Sequence, residues 1–321
     1  MADEQAKRIA ERIAPLRVEP GTRVTLGKDF DPGFRAEFVK KQDSTAILEE
    51  GIRLLKEYQA RLAAQDIYGV LVVLQSLDAG GKDGTIRHVM SGVNPQGVNV
   101  RSFKVPSATE LDHDFLWRYA RDLPGRGEIT IFNRSHYEEV LVVRVHPETL
   151  ERQRLPKTAM KKNVWDRRYR QINDWERYLN ENGFRIVKLF LNLSKEEQRR
   201  RFMDRLDRPD KQWKFSTSDA GERRRWDEYQ TAFSEMLSNT STPWAPWYVI
   251  PADHKWFARI AAAAVIVNTL IEIDPRFPTM GAEGQQQLAE ARKMLESDAA
   301  AEVRPDGNGS RRAARDHAGP R

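Results

Sequence analysis

The residues best suited to chemistry in this chain lie at positions 76–85, in the sequence SLDAGGKDGT. Gly80, Gly81 and Gly84 would let the backbone approach an anion closely, and Lys82 could reach its outer oxygens. A loop of this kind binds phosphate where a strand leads into a helix, because the first amide groups of the helix point at the anion. The run VLVVLQ before it and IRHVM after it predict that context, and therefore a phosphate site.

The loop departs at two positions from the pattern G-x-x-x-x-G-K-[ST]. Ser76 replaces the first glycine, and Asp83 stands where a magnesium-binding hydroxyl is expected, with Thr85 nearby. A glycine-rich turn without a ligand is therefore the alternative. Asp78 favours the phosphate site, because a carboxylate among phosphates requires a cation between them. We expect Mg²⁺, with Mn²⁺ as second choice, at Asp78; a helix-capping role is the alternative for that residue.

A second polar group follows the apolar residues ITIF at 129–132. Ligand groups in open α/β sheets collect at the carboxyl ends of strands, and Asn133, Arg134 and Glu138 come at such an end. Arg134 can bind phosphate through two hydrogen bonds, Asn133 offers an amide oxygen and Glu138 a carboxylate. His136, a lone histidine in a loop, is expected to be structural.

A cationic helix and loop form the third group. Arg205, Arg208, Lys211 and Lys214 lie in a run that contains a helix-ending proline. We predict a mobile lid at about 199–220, which closes over transferring phosphates and neutralises their charge. A solvated helix face is the alternative for the first arginines of the run.

Strands and helices alternate around these groups. Apolar runs predict strands at 69–75, 98–104, 128–132, 185–193 and 247–251. Helical periodicity is found at 44–64, 108–121, 163–182, 195–206, 220–237 and 254–273. This alternation predicts an α/β fold with a doubly wound parallel sheet in three α/β/α layers. We expect an N-terminal arm at 1–43 with little core of its own, the main domain at 44–278 and a tail at 279–321, largely disordered after 303.

Composition excludes several classes of protein. The chain has 321 residues and no cysteine, so disulfides, thiolate nucleophiles and iron–sulfur clusters are excluded. No apolar run approaches the roughly 20 residues of a membrane helix, and the N-terminus lacks the apolar segment of a signal peptide. We therefore expect a cytoplasmic protein without a membrane partner.

The net charge of +6 is unevenly distributed. Residues 152–225 carry +11 and residues 304–321 carry +3, which leaves −8 for the remainder. A basic middle in an acidic body predicts a polyanionic partner, such as nucleic acid, phospholipid or polyphosphate. A solvated surface of mixed charge is the alternative.

Four ordered motifs resemble the family-2 polyphosphate kinases, within a similarity that runs from about Leu16 to Pro278. They are LDAGGKDGTIRHVMSGVNPQG, SFKVPSATELDHDFLWR, IFNRSHYEEVLVVRVHPE and RPDKQWKFSTSD. The resemblance implies a P-loop kinase-like fold, Mg²⁺ dependence, homo-oligomers, and phosphoryl transfer between inorganic polyphosphate and a nucleotide such as AMP, ADP or ATP. The family's loop residues fall on Asp78 and Lys82, and its lid cations on Arg205, Arg208, Lys211 and Lys214.

The pair Asn133-Arg134 with Glu138 is similar to the class III subgroup, which phosphorylates both AMP and ADP; many other members have Asp-Arg at this position. Lys104 is expected to contact the acceptor nucleotide. One alternative is an ATP-dependent nucleotide kinase of the thymidylate kinase type, which needs no basic tract at 152–170. The weaker alternative is a nucleic-acid-binding protein that stacks bases on Trp165, Tyr169 and Trp213.

Overall fold

The computed structural model describes residues 2–36, 39–160, 163–213 and 217–302. Lys214 and the tail beyond residue 302, for which we expect disorder, lie outside the described residues. The chain divides into two compact units, residues 1–277 and 278–321. The three predicted site regions belong to the first unit.

The strands of the first unit are β1 Gly69–Gln75, β2 Val98–Ser102, β3 Ile129–Asn133, β4 Phe184–Asn192 and β5 Trp247–Pro251. In the described part of the chain they form one sheet with the order β2-β3-β1-β4-β5, and every neighbouring pair is parallel. β1 is central, so its carboxyl end lies beside those of β3 and β4. The predicted doubly wound α/β fold is confirmed.

The helices are α1 Ala2–Ile13, α2 Ser44–Gln65, α3 Lys82–Val89, α4 Ala108–Leu111, α5 Trp117–Ala120, α6 Val142–Val145, α7 Glu148–Glu151, α8 Val164–Glu181, α9 Lys195–Asp207, α10 Pro209–Gln212, α11 Thr217–Arg224, α12 Trp226–Thr240, α13 Lys255–Ile273 and α14 Ala282–Glu302. Short 3-10 helices lie at Ala14–Leu16, Lys41–Asp43, Pro95–Gly97, His136–Val140 and Lys157–Ala159. α14 belongs to the second unit.

The two faces of the sheet carry separate cores. Val70, Val72 and Leu74 of β1 pack into a core shared with α2 and α13, whereas Leu71 and Val73 pack into a core shared with α8 and α12. β1 is buried on both faces, which explains its continuous apolar sequence. By length and composition α13 could cross a membrane, but 61% of it is buried in the fold, as expected of a core helix.

The region predicted as one helix at 108–121 is divided into α4 and α5. The Asp114 carboxylate accepts a hydrogen bond from the Leu116 amide, a local turn that competes with helical bonding. The helix predicted at 220–237 is likewise divided, and Arg225 lies between α11 and α12. Periodicity identified the apolar positions in both regions but did not reveal where the helices are interrupted.

The first 43 residues contribute more to the core than their composition indicates. Ile13 and Leu16 join one core, and Val18 and Val24 join the other. The Val18 amide donates to the carbonyl of Trp247 in β5 at 2.8 Å. This segment therefore covers the open edge of the sheet beside β5, where unpaired backbone groups would otherwise be exposed.

Candidate functional site

The glycine-rich loop connects the carboxyl end of β1 to the start of α3. Gly81 is the N-cap residue of α3 and has φ +103°, a left-handed conformation that glycine adopts without steric cost. Ala79 has φ +65°, which is uncommon for a residue with a β-carbon. The Lys82 ammonium donates to the Ser76 carbonyl at 2.9 Å and so spans the base of the loop. The loop is therefore held together by its own lysine.

Crowding by the loop alters the acidity of Lys82. Burial lowers the pKa of Lys82 to about 8, the positive charge of Arg134 lowers it further, and the carboxylate of Asp78 opposes the change. The side chain keeps partial exposure towards the cleft. Near neutral pH the ammonium is charged but weakly solvated, which favours binding of an anion.

We expect kcat/KM for an anionic substrate to fall as the pH rises past about 8, because Lys82 then loses its charge. The test is a pH–rate profile of the wild type beside Lys82→Arg, whose guanidinium stays charged in this range. The alkaline decrease should move to higher pH in the variant. If kcat/KM decreased at the same pH in both proteins, a group other than Lys82 would be responsible for the decrease.

Arg134 lies between two carboxylates. Its Nη2 donates to Oδ1 of Asp78 at 2.7 Å, and its Nη1 donates to Oε2 of Glu138 at 3.4 Å. The negative charge of Glu138 raises the pKa of Arg134, burial opposes this and Asp78 reinforces it. Asp78 does not cap α3, since no side chain accepts at that N-cap. The structure thus brings Asp78 of the glycine-rich loop together with Arg134 and Glu138, which were predicted from the second polar group.

Asn133 connects the end of β3 to the start of α3. Its amide nitrogen donates to Oδ1 of Asp83 at 2.9 Å, so its amide oxygen can still accept a bond or ligate a cation. Thr85 is buried one turn further along α3, and its backbone N–H donates to Gly81. Asp83 is thereby held at the cleft in the position where other phosphate loops have a hydroxyl.

Two side chains of α9 hold the loop from the opposite side. Arg201 donates to the carbonyls of Ala79 at 3.1 Å and Gly80 at 2.9 Å, and also to the carbonyl of Ala252. Gln198 donates to the carbonyl of Asp78 at 3.0 Å. Arg201 is only 5% exposed and pairs with Glu197 at 2.7 Å. Arg201 lies within the segment predicted as the lid, 199–220, but its guanidinium supports the loop.

We expect Arg201→Ala to lower the free energy of unfolding by about 3 kcal/mol, because it leaves the carbonyls of Ala79, Gly80 and Ala252 without their buried donor. Urea unfolding measures this change. Arg200→Ala is the matched control, since Arg200 also pairs with Glu197 but is 66% exposed. Its removal should cost less than about 0.5 kcal/mol. Equal losses in the two variants would contradict the role given to Arg201.

The loop opens into a cleft of about 840 Å³. The predicted residues that line it are Asp78, Gly80, Gly81, Lys82, Asp83, Gly84, Thr85, Lys104, Asn133, Arg134, Arg205 and Lys211. Glu138 lines a smaller recess on the other side of Asp78 and Arg134. The sheet thus gathers in one place groups that are up to 133 positions apart, between Asp78 and Lys211.

Cations that we did not predict also line the cleft: Arg87 on α3 and Lys255 and Arg259 on α13. Burial lowers the pKa of Arg259, and the positive charge of Arg87, which lines the same cleft, lowers it further. Within the described residues, neither arginine has a hydrogen-bonded acidic partner. The sequence did contain one signal for two of these cations: Lys255 and Arg259 are four residues apart at the start of α13, which is otherwise largely apolar.

The lid residues are partly paired with acids. The Lys211 ammonium donates to Asp204 at 2.8 Å, and the exposed Arg208 donates to Asp210 at 2.9 Å. Trp213 also lines the cleft and is 76% exposed. Arg205 and Lys211 face the cleft, and the role predicted for Arg208 stays a prediction.

Part of the basic stretch at 152–170 is structural. Arg168 is buried and pairs with the buried Glu139 at 3.0 Å, and Arg167 donates to the carbonyl of Ala159. His136, expected to be structural, is fully buried against Glu176. The sequence count therefore overstated the charge that this stretch presents to a ligand.

The site has the donors that Mg²⁺ prefers, but no preformed cage. Among the described residues, no three acidic or histidine side chains come together as a metal site. Asp78 and Asp83 both line the cleft, and the amide oxygen of Asn133 lies beside Asp83. One or two carboxylates with substrate phosphates and water are the usual environment of Mg²⁺. The residues present fit such an ion.

A parallel sheet of this strand order, a phosphate loop after its central strand and a cationic helix–loop facing it define a phosphotransferase of the P-loop kinase type. The family model for polyphosphate kinase 2 matches residues 38–278. The chain belongs to the polyphosphate kinase 2 family, as its four motifs indicated.

Characterised relatives and solved structures agree with this assignment. The chain is 47% identical over 284 residues to an ADP-polyphosphate phosphotransferase of Rhodopseudomonas palustris, covering 87% of this chain and 97% of the relative. It is 46% identical over 263 residues to an AMP/ADP-polyphosphate phosphotransferase of Meiothermus ruber, covering 82% and 94%. A crystal structure of polyphosphate kinase 2 from Arthrobacter aurescens superposes with a TM-score of 0.77 at 37% identity, covering 86% of this chain and 95% of that one.

Proposed function

We propose that this protein transfers the terminal phosphate of inorganic polyphosphate to AMP or ADP, reversibly. The observation that carries the proposal is the cleft, in which cations extend well beyond the phosphate loop. Arg87, Lys104, Lys255 and Arg259 line it without a hydrogen-bonded acidic partner among the described residues. A nucleotide alone needs fewer such groups than a long polyanion does. The names of both relatives, which specify polyphosphate, support the same substrate.

The geometry suits direct in-line transfer. A phosphate oxygen of the acceptor attacks the terminal phosphorus of the chain, the bond to the bridging oxygen breaks and the shortened chain leaves as an anion. The acceptor oxygen is already a competent nucleophile, so positioning and charge dominate and no general base is required. Lys82 and Arg134 would hold phosphate oxygens, and Arg205 and Lys211 would approach as the lid closes. Mg²⁺, held by Asp78, would neutralise phosphate charge when bound.

We expect Arg87→Gln/Arg259→Gln to weaken polyphosphate binding by about 10-fold or more, because each lost phosphate contact removes part of the electrostatic attraction. The slope of log KM against log salt concentration should also decrease, since fewer counterions are released. Kinetics with polyphosphate at several salt concentrations measure both. KM for ADP should change little in the double variant. If the salt dependence of KM for polyphosphate were unchanged, polyphosphate would not bind at Arg87 and Arg259.

For the acceptor, we propose that both AMP and ADP are used, as in the class III subgroup. Support comes from Asn133-Arg134, which stands where many members have Asp-Arg, and from Glu138, which accepts a hydrogen bond from Arg134. Glu138 would orient Arg134 or the metal-bound water. Lys104, which lines the cleft beside β2, is available for the acceptor phosphate.

The decisive experiment is a matrix of donors and acceptors. The protein is incubated with Mg²⁺ and either polyphosphate or ATP as donor, and with AMP, ADP or dTMP as acceptor. Formation of ADP or ATP from polyphosphate supports the proposal. Transfer only from ATP would support a kinase of the thymidylate kinase type, and no transfer from either donor would refute both.

Two of the aromatic residues considered for nucleic-acid binding have packing roles. Tyr169 is 3% exposed and its hydroxyl accepts from Arg144 at 2.9 Å, and Trp165, in the first turn of α8, is partly buried against the same core. Only Trp213 of the three is exposed at the cleft. The nucleic-acid alternative is therefore not favoured. A cytoplasmic location and a homo-oligomeric state stay proposals, which cell fractionation and light scattering can test.

A further inference from the structure

A cluster of buried polar side chains lies directly behind the segment that carries Arg134 and Glu138. It consists of Glu176 of α8, Lys188 of β4, and His136 and Tyr137 of the segment itself, all fully buried. Lys188 projects from the face of the sheet that packs against α8 and α12, since its neighbours Ile186 and Phe190 belong to that core. None of the four residues lines the cleft or the recess beside it.

The hydrogen bonds of the cluster are nearly complete. The three donors of the Lys188 ammonium go to Glu176 at 2.7 Å, to the Tyr137 hydroxyl at 2.9 Å and to the Thr240 carbonyl at 2.6 Å. Glu176 also accepts from the Tyr137 hydroxyl at 2.7 Å, and His136 lies at 3.2 Å from the same oxygen. Burial favours the neutral acid, but the charge of Lys188 and the bond from His136 outweigh it and lower the pKa of Glu176. The cluster is thus held around a buried ion pair.

A buried ion pair is weak evidence for stability, because apolar side chains of similar volume commonly serve as well. The geometry gives this pair a different role. β3 and β4 are not neighbours in the sheet, since β1 lies between them. The cluster is therefore a polar connection from β4 and α8 to the segment that follows β3.

That segment needs firm support. Arg134 has φ +65°, a conformation that persists in a residue with a β-carbon only where its surroundings determine it. Its N–H donates to the carbonyl of Leu74 at 3.2 Å, and the Ser135 hydroxyl accepts from the Gln75 side chain at 3.0 Å. These bonds tie the segment to β1. The cluster fixes the next two residues, His136 and Tyr137, from the other side.

We propose that Glu176 and Lys188 are positioning residues for phosphoryl transfer. They fix His136 and Tyr137 and thereby keep the Arg134 guanidinium between Asp78 and Glu138, where it can hold a phosphate oxygen. The inference rests on the proposed function of Arg134 in that transfer. It assigns to two residues far from any substrate an effect on kcat.

The test compares Tyr137→Phe, which removes one hydroxyl, with the double variant Glu176→Gln/Lys188→Met, which removes both buried charges together. We expect both to remain folded and to lower kcat by about 10-fold or more, because displacing a positioned group by ~1 Å can cost on the order of 10²-fold. KM for polyphosphate should change much less than kcat, since Arg87, Lys255 and Arg259 of the cleft are untouched. The measurements are steady-state kinetics and thermal unfolding of the full chain.

Leu179→Ala is the matched control, because Leu179 is a buried residue of α8 one turn beyond Glu176 whose apolar side chain forms no hydrogen bond with the cluster. It should lower the unfolding temperature and leave kcat unchanged at temperatures well below unfolding. Wild-type kcat in Tyr137→Phe, or an equal loss of kcat in Leu179→Ala, would overturn the inference. An inactive wild type would instead refute the proposed function, so the two failures are distinguishable.

Discussion

Replacing Lys82 by methionine is expected to lower kcat for phosphoryl transfer by about 10³-fold, with the fold retained. Methionine fills nearly the same volume but removes the charge that faces the transferring phosphate. The ammonium is already partly desolvated, as its lowered pKa of about 8 shows, so its interaction with a phosphate oxygen is stronger than in water. The loss should therefore appear in kcat as well as in KM.

The measurement is ADP or ATP formation from polyphosphate under saturating donor. Lys56→Met serves as the control, because Lys56 is exposed on α2 and does not line the cleft. That variant should keep wild-type kinetics. If Lys82→Met retained more than about one tenth of wild-type kcat, the loop lysine would be structural, and Arg134 with the lid cations would have to stabilise the transition state without it.

Gly80→Ala should reduce kcat/KM by about 10²-fold or more, although it adds only one methyl group. A β-carbon at this position would lie 1.5 Å from the Ser76 hydroxyl oxygen and 2.9 Å from the Leu77 carbonyl oxygen. The loop would have to open, since the second of these contacts is with backbone. Opening breaks the bonds from Arg201 and displaces Lys82, which spans the same loop.

Gly51→Ala provides the comparison for Gly80→Ala. A β-carbon at Gly51 would lie 3.6 Å from the Ala263 side chain, an ordinary contact, and alanine is the better helix former in α2. This variant should be at least as stable as the wild type and fully active. The two variants are compared by kinetics and thermal unfolding. Full activity in Gly80→Ala would mean that the loop adapts, and that its closed shape is not needed for transfer.

Much of the fold was predictable from local pattern. Continuous apolar runs identified the strands within about two residues, and their alternation with helical periodicity identified a doubly wound sheet. The errors were at 108–121, where residues 112–116 interrupt the helix, at 220–237, where Arg225 does, and in the first 43 residues. In the latter, isolated apolar residues such as Leu16 and Val18 join cores made by distant elements, which no local periodicity reveals.

The residues of the candidate site were predictable only in part, because residue type and position in the sequence do not reveal how deeply a side chain is buried. Residue type and strand-end position were sufficient to select Asp78, Lys82 and Arg134, because ligand groups of open sheets occur at those ends. They could not separate Arg201, which supports the loop, from Arg205, which lines the cleft. Both are arginines on the same helix that line the cleft, and only the tertiary structure shows that Arg201 is buried and bonded to the loop carbonyls.

The phosphate loop, the class of fold and the family could all be inferred from short runs of residues and their spacing. Which charged side chains face the substrate and which stabilise the protein became evident only in the folded chain. Lys188 and Arg168 are buried in ion pairs, whereas Arg87 and Arg259, which are 172 positions apart in the sequence, both line the cleft. The reason is physical: the pKa and the role of a charged side chain depend on its solvation and neighbours, and the order of strands in the sheet sets both.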